Sequence, residues 1–269
     1  MQDDEGIYAN QGMEARLSFP KDAYDRAFGL EDVSFWFRHR NEVIRVALER
    51  FPPGKIFLDI GGGNGVVSWF MTRLGYDCIL IEPAYTGCRN AIRRGMKKVI
   101  WGFFQDLPIT AGTIPSMGLF DVLEHIERPI DFLAHFRKAL RLGGRLYITV
   151  PAHTWLWSTI DTLSGHFRRY TVASLRREVE KAGLRVEYVT YFFTWFGLPI
   201  FCLRSIPYRL GIGGEEKTDR QELDNVANQY KQASPSGDWI LKKLFHSELR
   251  ILHRSQLRHG ASVLAVCVA

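Results

Sequence analysis

The sequence predicts an α/β protein built on a doubly wound, mostly parallel sheet of seven strands, with helices ahead of the sheet and a helical insertion before its last strand. Three observations carry this. Short apolar runs alternate with stretches of helical periodicity, and the first run passes straight into the glycine-rich string DIGGGNG, Asp59 to Gly65. The alternation then lapses for about 65 residues before a final apolar run at 261–268.

Residues 22–50 place Phe28, Phe35, Ile44 and Leu48 at three- and four-residue steps and stop at Pro52-Pro53-Gly54, so 1–52 reads as an N-terminal helical cap. Runs at 56–60, 78–82, 97–101, 116–120 and 145–150 read as strands. Helices are expected between them, such as 65–74 and 129–141; the second opens on Pro129 and is expected to end at Gly143-Gly144. Thr171 is an N-cap residue ahead of Leu175, Val179 and Ala182 on one face, and Gly183 closes that helix. A strand follows at 184–192. The core is thus placed at 53–192, an insertion at 193–259 and the closing strand at 260–269, with Glu215–Ser236 a polar exposed loop. Strand and helix alternation implies parallel strands joined by right-handed crossovers, and such sheets bind ligands beyond the carboxyl ends of their strands.

A chain of 269 residues with 46% hydrophobic content can bury one α/β core with an added lobe. The four cysteines, Cys78, Cys88, Cys202 and Cys267, form no C-x-x-C pair, which argues against a zinc site, a redox dithiol or a disulfide framework and fits a reducing cytoplasm. The acidic, polar start MQDDEGIYANQG has no basic or apolar leader segment, so a cytoplasmic location is expected. A net charge of +6 admits RNA, a membrane surface or a phosphorylated substrate as partner. Much of that charge is interleaved with acids, as in Arg176, Arg177, Glu178, Glu180 and Lys181, and reads as a solvated face in preference to a binding surface.

Glycines in the first loop allow positive φ and bring backbone N–H groups against a ligand. A dinucleotide fingerprint would need glycine or alanine at the position of Val66, so the pattern is instead D-x-G-x-G-x-G. Glu82 ends the second strand in CILIEPA, where an acid faces the ligand crevice and can accept ribose hydroxyls. Three further strings follow strand ends in order: FFQDLP at 103–108, LFDVLEHIERP at 119–129 and VPAHTWLWSTIDTLSGHFRRYT at 150–171. In the last, His153 or His166 can serve as general base, and Arg168 or Arg169 can pair a phosphate or carboxylate, with Trp157 and Tyr170 beside them. The competing readings are a surface charge pair for the arginines and local backbone capping for Glu124-His125.

These strings in this order resemble a bacterial class I S-adenosylmethionine (SAM) methyltransferase of the small-molecule group, types 11 and 12, most strongly over 55–171; GLFDVLEHI matches that family over nine residues. GHFRRYT and the C-terminal tail resemble a branch associated with cell-envelope or secondary-metabolite gene clusters. The resemblance implies a Rossmann-like methyltransferase sheet whose last strand lies antiparallel beside the sixth, and SAM as cofactor with S-adenosylhomocysteine as product. It implies that Asp59, Gly61 and Gly63 receive the amino-acid part of SAM, and that Glu82, followed by Pro83, takes the ribose. Asp106 would meet the adenine amino group and Leu107 cover the ring. Backbone around Phe120 would floor the methyl, and His125 would stand at the mouth. Arg40, in an N-terminal helix folded over SAM, would pair its carboxylate, with Trp36 shielding the sulfonium.

Methyl transfer from a sulfonium needs alignment in a dry site, and no spaced His and carboxylate cluster resembling a catechol-type Mg²⁺ site is evident, so direct in-line transfer without metal is expected. The absence of an NPPY-like string and of a Pro-Cys or Thr-Cys pair disfavours a nucleic-acid acceptor. The apolar run 188–212, with Phe192, Phe193, Trp195 and Phe196, is interrupted by Pro199 and Pro207 and too short to span a membrane. It reads as a substrate lid, a homodimer face, or a segment in peripheral contact with the inner membrane surface. The expected acceptor is therefore a small molecule or a lipid-linked glycan; the competing functions are an RNA methyltransferase and a non-catalytic SAM-binding module.

Overall fold

The protein is described from a computed structural model covering residues 7–9, 21–211 and 235–269. Strands β1 (Tyr8–Ala9), β2 (Ile56–Ile60), β3 (Asp77–Glu82), β4 (Val99–Trp101), β5 (Ile114–Phe120), β6 (Leu140–Pro151), β7 (Arg185–Phe192) and β8 (Ser262–Val268) form one sheet, in the order β1-β4-β3-β2-β5-β6-β8-β7. All neighbours from β1 to β6 run parallel, and β8 inserts antiparallel between β6 and β7. The seven expected strands are present. The eighth, β1, pairs two residues with Ile100 and Trp101 at the edge, inside a region read as wholly helical. Two residues carry no periodicity, so only the free edge of β4 specifies that strand.

Both faces of the sheet are covered, which is why its strands read as near-continuous apolar runs. Along β8, Val263, Ala265 and Cys267 pack with Leu133 and Phe136 of α5 (Pro129–Ala139) and with Leu175 and Val179 of α7 (Val172–Lys181). Leu264 and Val266 point the other way, into a cluster with Val43 and Ile44 of α2 (Phe35–Arg50) and Val67 and Met71 of α3 (Val66–Arg73). That two-residue alternation is the pleat of a strand. Each such buried side chain contributes about 1.5–3 kcal/mol. Helix starts follow the local chemistry: Ser34 Oγ accepts the Trp36 N–H, and Thr171 and Ser174 form a reciprocal capping box.

One boundary differs from expectation. Helix α5 stops at Ala139, and Leu140, not the Gly143-Gly144 pair, begins the next element. Leu140 already pairs with Ile114, while Gly143 at φ 73° bends the start of β6 so that its N–H meets Ala269 O. Glu215–Ser236 lies outside the described residues apart from its last two, which begin α10 (Pro235–Leu252).

The connection from β7 to β8 starts with a sharp turn at Phe193, φ 58°. Glu248 of α10 pins it, accepting the N–H groups of Phe193 and Thr194 at 2.8 and 2.7 Å, and also meets His39 of α2 at 2.8 Å. A helical stretch follows as α8 (Gly197–Ile200), a wide π turn (Phe201–Ser205) and α9 (Ile206–Arg209). Pro207 has no N–H and its ring would strike the carbonyl of Leu203, four residues back, so the helix widens there. Among the described residues no helix is long and apolar enough to cross a membrane.

Candidate active site

A cavity of about 590 Å³ opens beyond the carboxyl ends of β2, β3, β5 and β6, within the range of small-molecule sites. Its floor is the loop Gly61–Asn64 with Glu82, Pro83 and Phe120. Its roof comes from α1 (Lys21–Glu31) and α2 through Tyr24, Glu31, Trp36 and Arg40. Gly61 is at φ 67°, and a Cβ there would lie 2.9 Å from Val122, so glycine is required twice over. Gly63, at φ 56°, has open space where a side chain would go and donates its N–H to Glu82 Oε2 at 2.8 Å.

Glu82 is buried and also accepts from the Ala84 N–H at 2.8 Å and the Tyr24 hydroxyl at 3.1 Å. Burial pushes its carboxyl up to about 7, against the pull of these donors. Three bonds fill most of the roughly four lone-pair positions of a carboxylate. One position is left open to a donor in the cavity.

Several expected residues stand elsewhere. Asp59 is fully buried beneath the loop, bonded to Ser68 Oγ at 2.6 Å and pushed up to about 6 by burial, so it shapes the loop from behind and does not line the cavity. Asp106 ends a short 3-10 turn and is exposed, and Leu107 faces a separate groove with Tyr8 and Ile79. Phe103, Phe104 and Gln105 line the cavity in their place, and the turn Phe104–Asp106 leaves Asp106 and Leu107 off its wall. Arg40 does line the cavity, but its guanidinium is paired with Asp121, leaving the buried Nε without a hydrogen-bond partner. Asp121 sits at φ 58° at the end of β5, a strained non-glycine position of the kind found at functional sites.

On the acceptor side, His153 is not on the cavity wall: its ring stacks between Trp155 and Tyr191. Trp157 donates to Thr162 Oγ1, Tyr170 is buried with its hydroxyl toward Leu123 O, and Arg168 donates to Glu127 O, so none of the three lines the cavity. His125, His166 and Arg169 do. His166 Nδ1 bonds Asp161 Oδ1 at 2.9 Å, and Arg169 grips both oxygens of Asp161 at 2.7 and 2.9 Å. Burial alone would raise the Asp161 carboxyl, but His166 and Arg169 outweigh it and hold it down at about 2. Arg169 is thereby committed to Asp161 and to Ala152 O, not open to substrate.

The His125 ring stands edge-on to His166, centroids 4.7 Å apart, and burial, reinforced by His166, lowers it to about 4. Burial, then the Asp121 charge, raises Glu124 well above the carboxylate range, and its Oε2 has no hydrogen-bond partner. Glu124, His125 and His166 bring three ligand-type atoms within 4.8 Å of one another, a grouping that sequence spacing did not reveal. The cluster escapes a spacing search because His166 lies some forty residues beyond its partners.

Sequence reasoning also missed Tyr24 and the role of Asn64. Asn64 Nδ2 donates to Tyr24 O and Glu31 Oε1, and Asn90 donates to Asn64 Oδ1, fastening the glycine loop to α1 and to α4 (Tyr85–Arg94). The one available signal was an amide inside an otherwise glycine loop.

The methyltransferase domain family matches residues 36–189. Among curated proteins the chain is 31% identical over 127 residues to a ubiquinone biosynthesis O-methyltransferase of Schizosaccharomyces pombe, covering 43% of this chain and 45% of that one. It is 31% identical over 102 residues to a tRNA U34 carboxymethyltransferase of Trichlorobacter lovleyi, covering 35% and 32%. The aligned part is thus less than half of either relative. A solved SAM-dependent methyltransferase of Thermotoga maritima shares the fold, with a TM-score of 0.54 at 15% identity over 92% of this chain and 94% of that one. The glycine loop, the acid at the end of β3 and the cavity above them all fall within or against the matched span, and the chain belongs to the methyltransferase domain family of SAM-dependent enzymes.

Proposed function

We propose that this protein transfers a methyl group from SAM to a small-molecule or lipid-linked glycan acceptor by direct in-line attack, without metal. His166 on the cavity wall, backed by the buried Asp161, carries this reading. With Asp161 accepting a hydrogen bond from Nδ1–H, Nε2 is left as the basic nitrogen able to accept the proton of an acceptor hydroxyl or amine. Arg169 keeps Asp161 anionic, so the pair can stabilise the imidazolium that forms. Burial favours the uncharged forms of His125 and Glu124 beside it, which suits a dry site in which a positive charge is being dispersed.

Residues present fit SAM. Glu82 and the N–H groups of the loop would hold its ribose and amino-acid portions, the unpartnered Arg40 Nε offers a donor for its carboxylate, and Phe103 and Phe104 offer apolar surface for the base. SAM supplies the electrophilic methyl. The chain supplies alignment and the proton acceptor.

A cytoplasmic enzyme working at the inner membrane surface agrees with this acceptor class. An RNA acceptor is the second reading, favoured by the tRNA-modifying relative and the net charge of +6. Tritiated SAM incubated with lipid extract, a polar metabolite panel and bulk tRNA tells them apart. Label in the lipid or metabolite fraction, unaffected by chelator, is expected. Label confined to tRNA would sink the leading reading, and a divalent ion retained by the protein but lost in Glu124→Gln would replace the metal-free mechanism.

A further inference from the structure

The helical stretch over the cavity is amphipathic in an inverted sense. Its inner side is polar or packed: Ser205 is fully buried, Ile200 nearly so, and Arg204 lines the cavity. Its outer side is leucine-rich, with Leu198 and Leu203 each 70% exposed, Leu210 66% and Ile206 36%. In a regular helix the three- and four-residue steps keep Leu203, Ile206 and Leu210 on one face, while the five-residue step would turn Leu198 away from Leu203. The wide turn at Phe201–Ser205 absorbs the extra residue and keeps them in one stripe.

Charge says what that stripe meets. From Thr194 to Gly211 the chain has no acid, and it carries Arg204 and Arg209. The stretch packs on α10 through Phe196 and Phe245, ring centroids 5.6 Å apart. From Trp239 to Gly260 the only acid is Glu248, which is buried, while Lys242, Lys243 and Arg250 are exposed. Trp195 and Trp155 add indoles 52% and 42% exposed. An apolar stripe with indoles and cations, and no exposed acid within 194–211 or 239–260, is the chemistry of an interfacial segment on an anionic bilayer. Phe192 and Phe193 take no part, being fully buried in the core.

We propose that residues 195–210 dock the protein on an anionic membrane surface, with Arg204, on the inner side of the same helical stretch, receiving an acidic group of an amphiphilic acceptor drawn from that surface. This rests on the lipid-linked reading of the acceptor. One element then faces bilayer on one side and the methyl-transfer cavity on the other, so the acceptor reaches the site without crossing bulk water.

Cosedimentation of the full chain with phosphatidylcholine vesicles, with and without phosphatidylglycerol, tests the proposal against the variant Leu198→Ser/Leu203→Ser/Leu210→Ser. Those side chains are exposed, so the fold should tolerate the change, and SAM affinity measured by calorimetry checks it. The intact chain is expected to sediment with phosphatidylglycerol vesicles, less so at high salt, and the variant to partition roughly tenfold or more weakly. An intact chain left in the supernatant, a variant sedimenting equally well, or retention by tRNA in place of vesicles would overturn docking. SAM binding is unaffected by any of these results, so the methyltransferase reading stands or falls separately.

Discussion

The Tyr24 hydroxyl donates to Glu82 Oε1 at 3.1 Å, joining α1 to the end of β3 across 58 positions of the chain. It occupies one of the acceptor positions that a ribose hydroxyl would use. Removing it in Tyr24→Phe frees that position while keeping the ring, so SAM should bind roughly three- to tenfold more tightly, the net worth of one ordinary hydrogen bond. Isothermal calorimetry measures this, and unchanged or weaker binding would show that the two hydroxyls do not compete.

Glu82 also makes SAM binding depend on pH. Its carboxyl is raised to about 7 by burial, and only the carboxylate accepts hydroxyl donors fully. SAM affinity should therefore strengthen as pH rises from 6 to 8. Stability runs the opposite way: the folded state holds the proton more tightly than the unfolded chain, so this contribution is full below the ordinary glutamate value near 4.5 and is lost as pH rises through about 7. A Glu82→Gln variant should flatten both dependences, and calorimetry and urea unfolding across this range read them.

His166 and Asp161 should act as a unit in the methyl-transfer step. His166→Gln should lower kcat by roughly 10²–10⁴-fold with SAM affinity unchanged, the usual contribution of a general base. Asp161→Asn should lower kcat in the same direction, since it removes both the anchor of Nδ1 and the partner of Arg169. His153→Gln, off the cavity wall, should leave kcat within a few-fold of the native value. A large kcat loss in His153→Gln with little in His166→Gln would reverse the assignment.

Glu248 should be a stability residue. It takes three buried contacts, from His39, Phe193 N–H and Thr194 N–H, and although burial raises its carboxyl, His39 outweighs that and holds it low. Glu248→Ala strands two backbone donors at the turn out of β7 and should cost about 3–5 kcal/mol, seen as a lower urea midpoint. A loss under about 1 kcal/mol would mean that water replaces the carboxylate there.

Much of the architecture was legible because its signals are local. Apolar runs, the glycine loop and the cap at Thr171 act on their own few residues, so the strands fall where the runs are. Gly61, Gly63, Glu82 and Phe120 could be placed at the cavity because each sits at the end of a parallel strand, and the topology of such sheets brings those ends together. The errors arose where a side chain's direction depends on a turn. Within one 3-10 turn Gln105 lines the cavity and Asp106 does not, and a positive φ of 59° at His153 lays that ring on Trp155 and Tyr191.

Taken alone, the amino-acid sequence determined the doubly wound sheet, the ligand loop and the end of the sheet that binds, since periodicity and strand-end chemistry are written within short windows. Only the tertiary structure decided which polar groups meet. The Tyr24–Glu82 bond, the Arg40–Asp121 pair, the gathering of Glu124, His125 and His166, and the placement of Arg204 on the cavity wall depend on contacts between distant segments. Burial by packing also moved Glu82, Glu124 and His125 from their ordinary protonation ranges, because desolvation belongs to the assembled core and has no counterpart in a linear string.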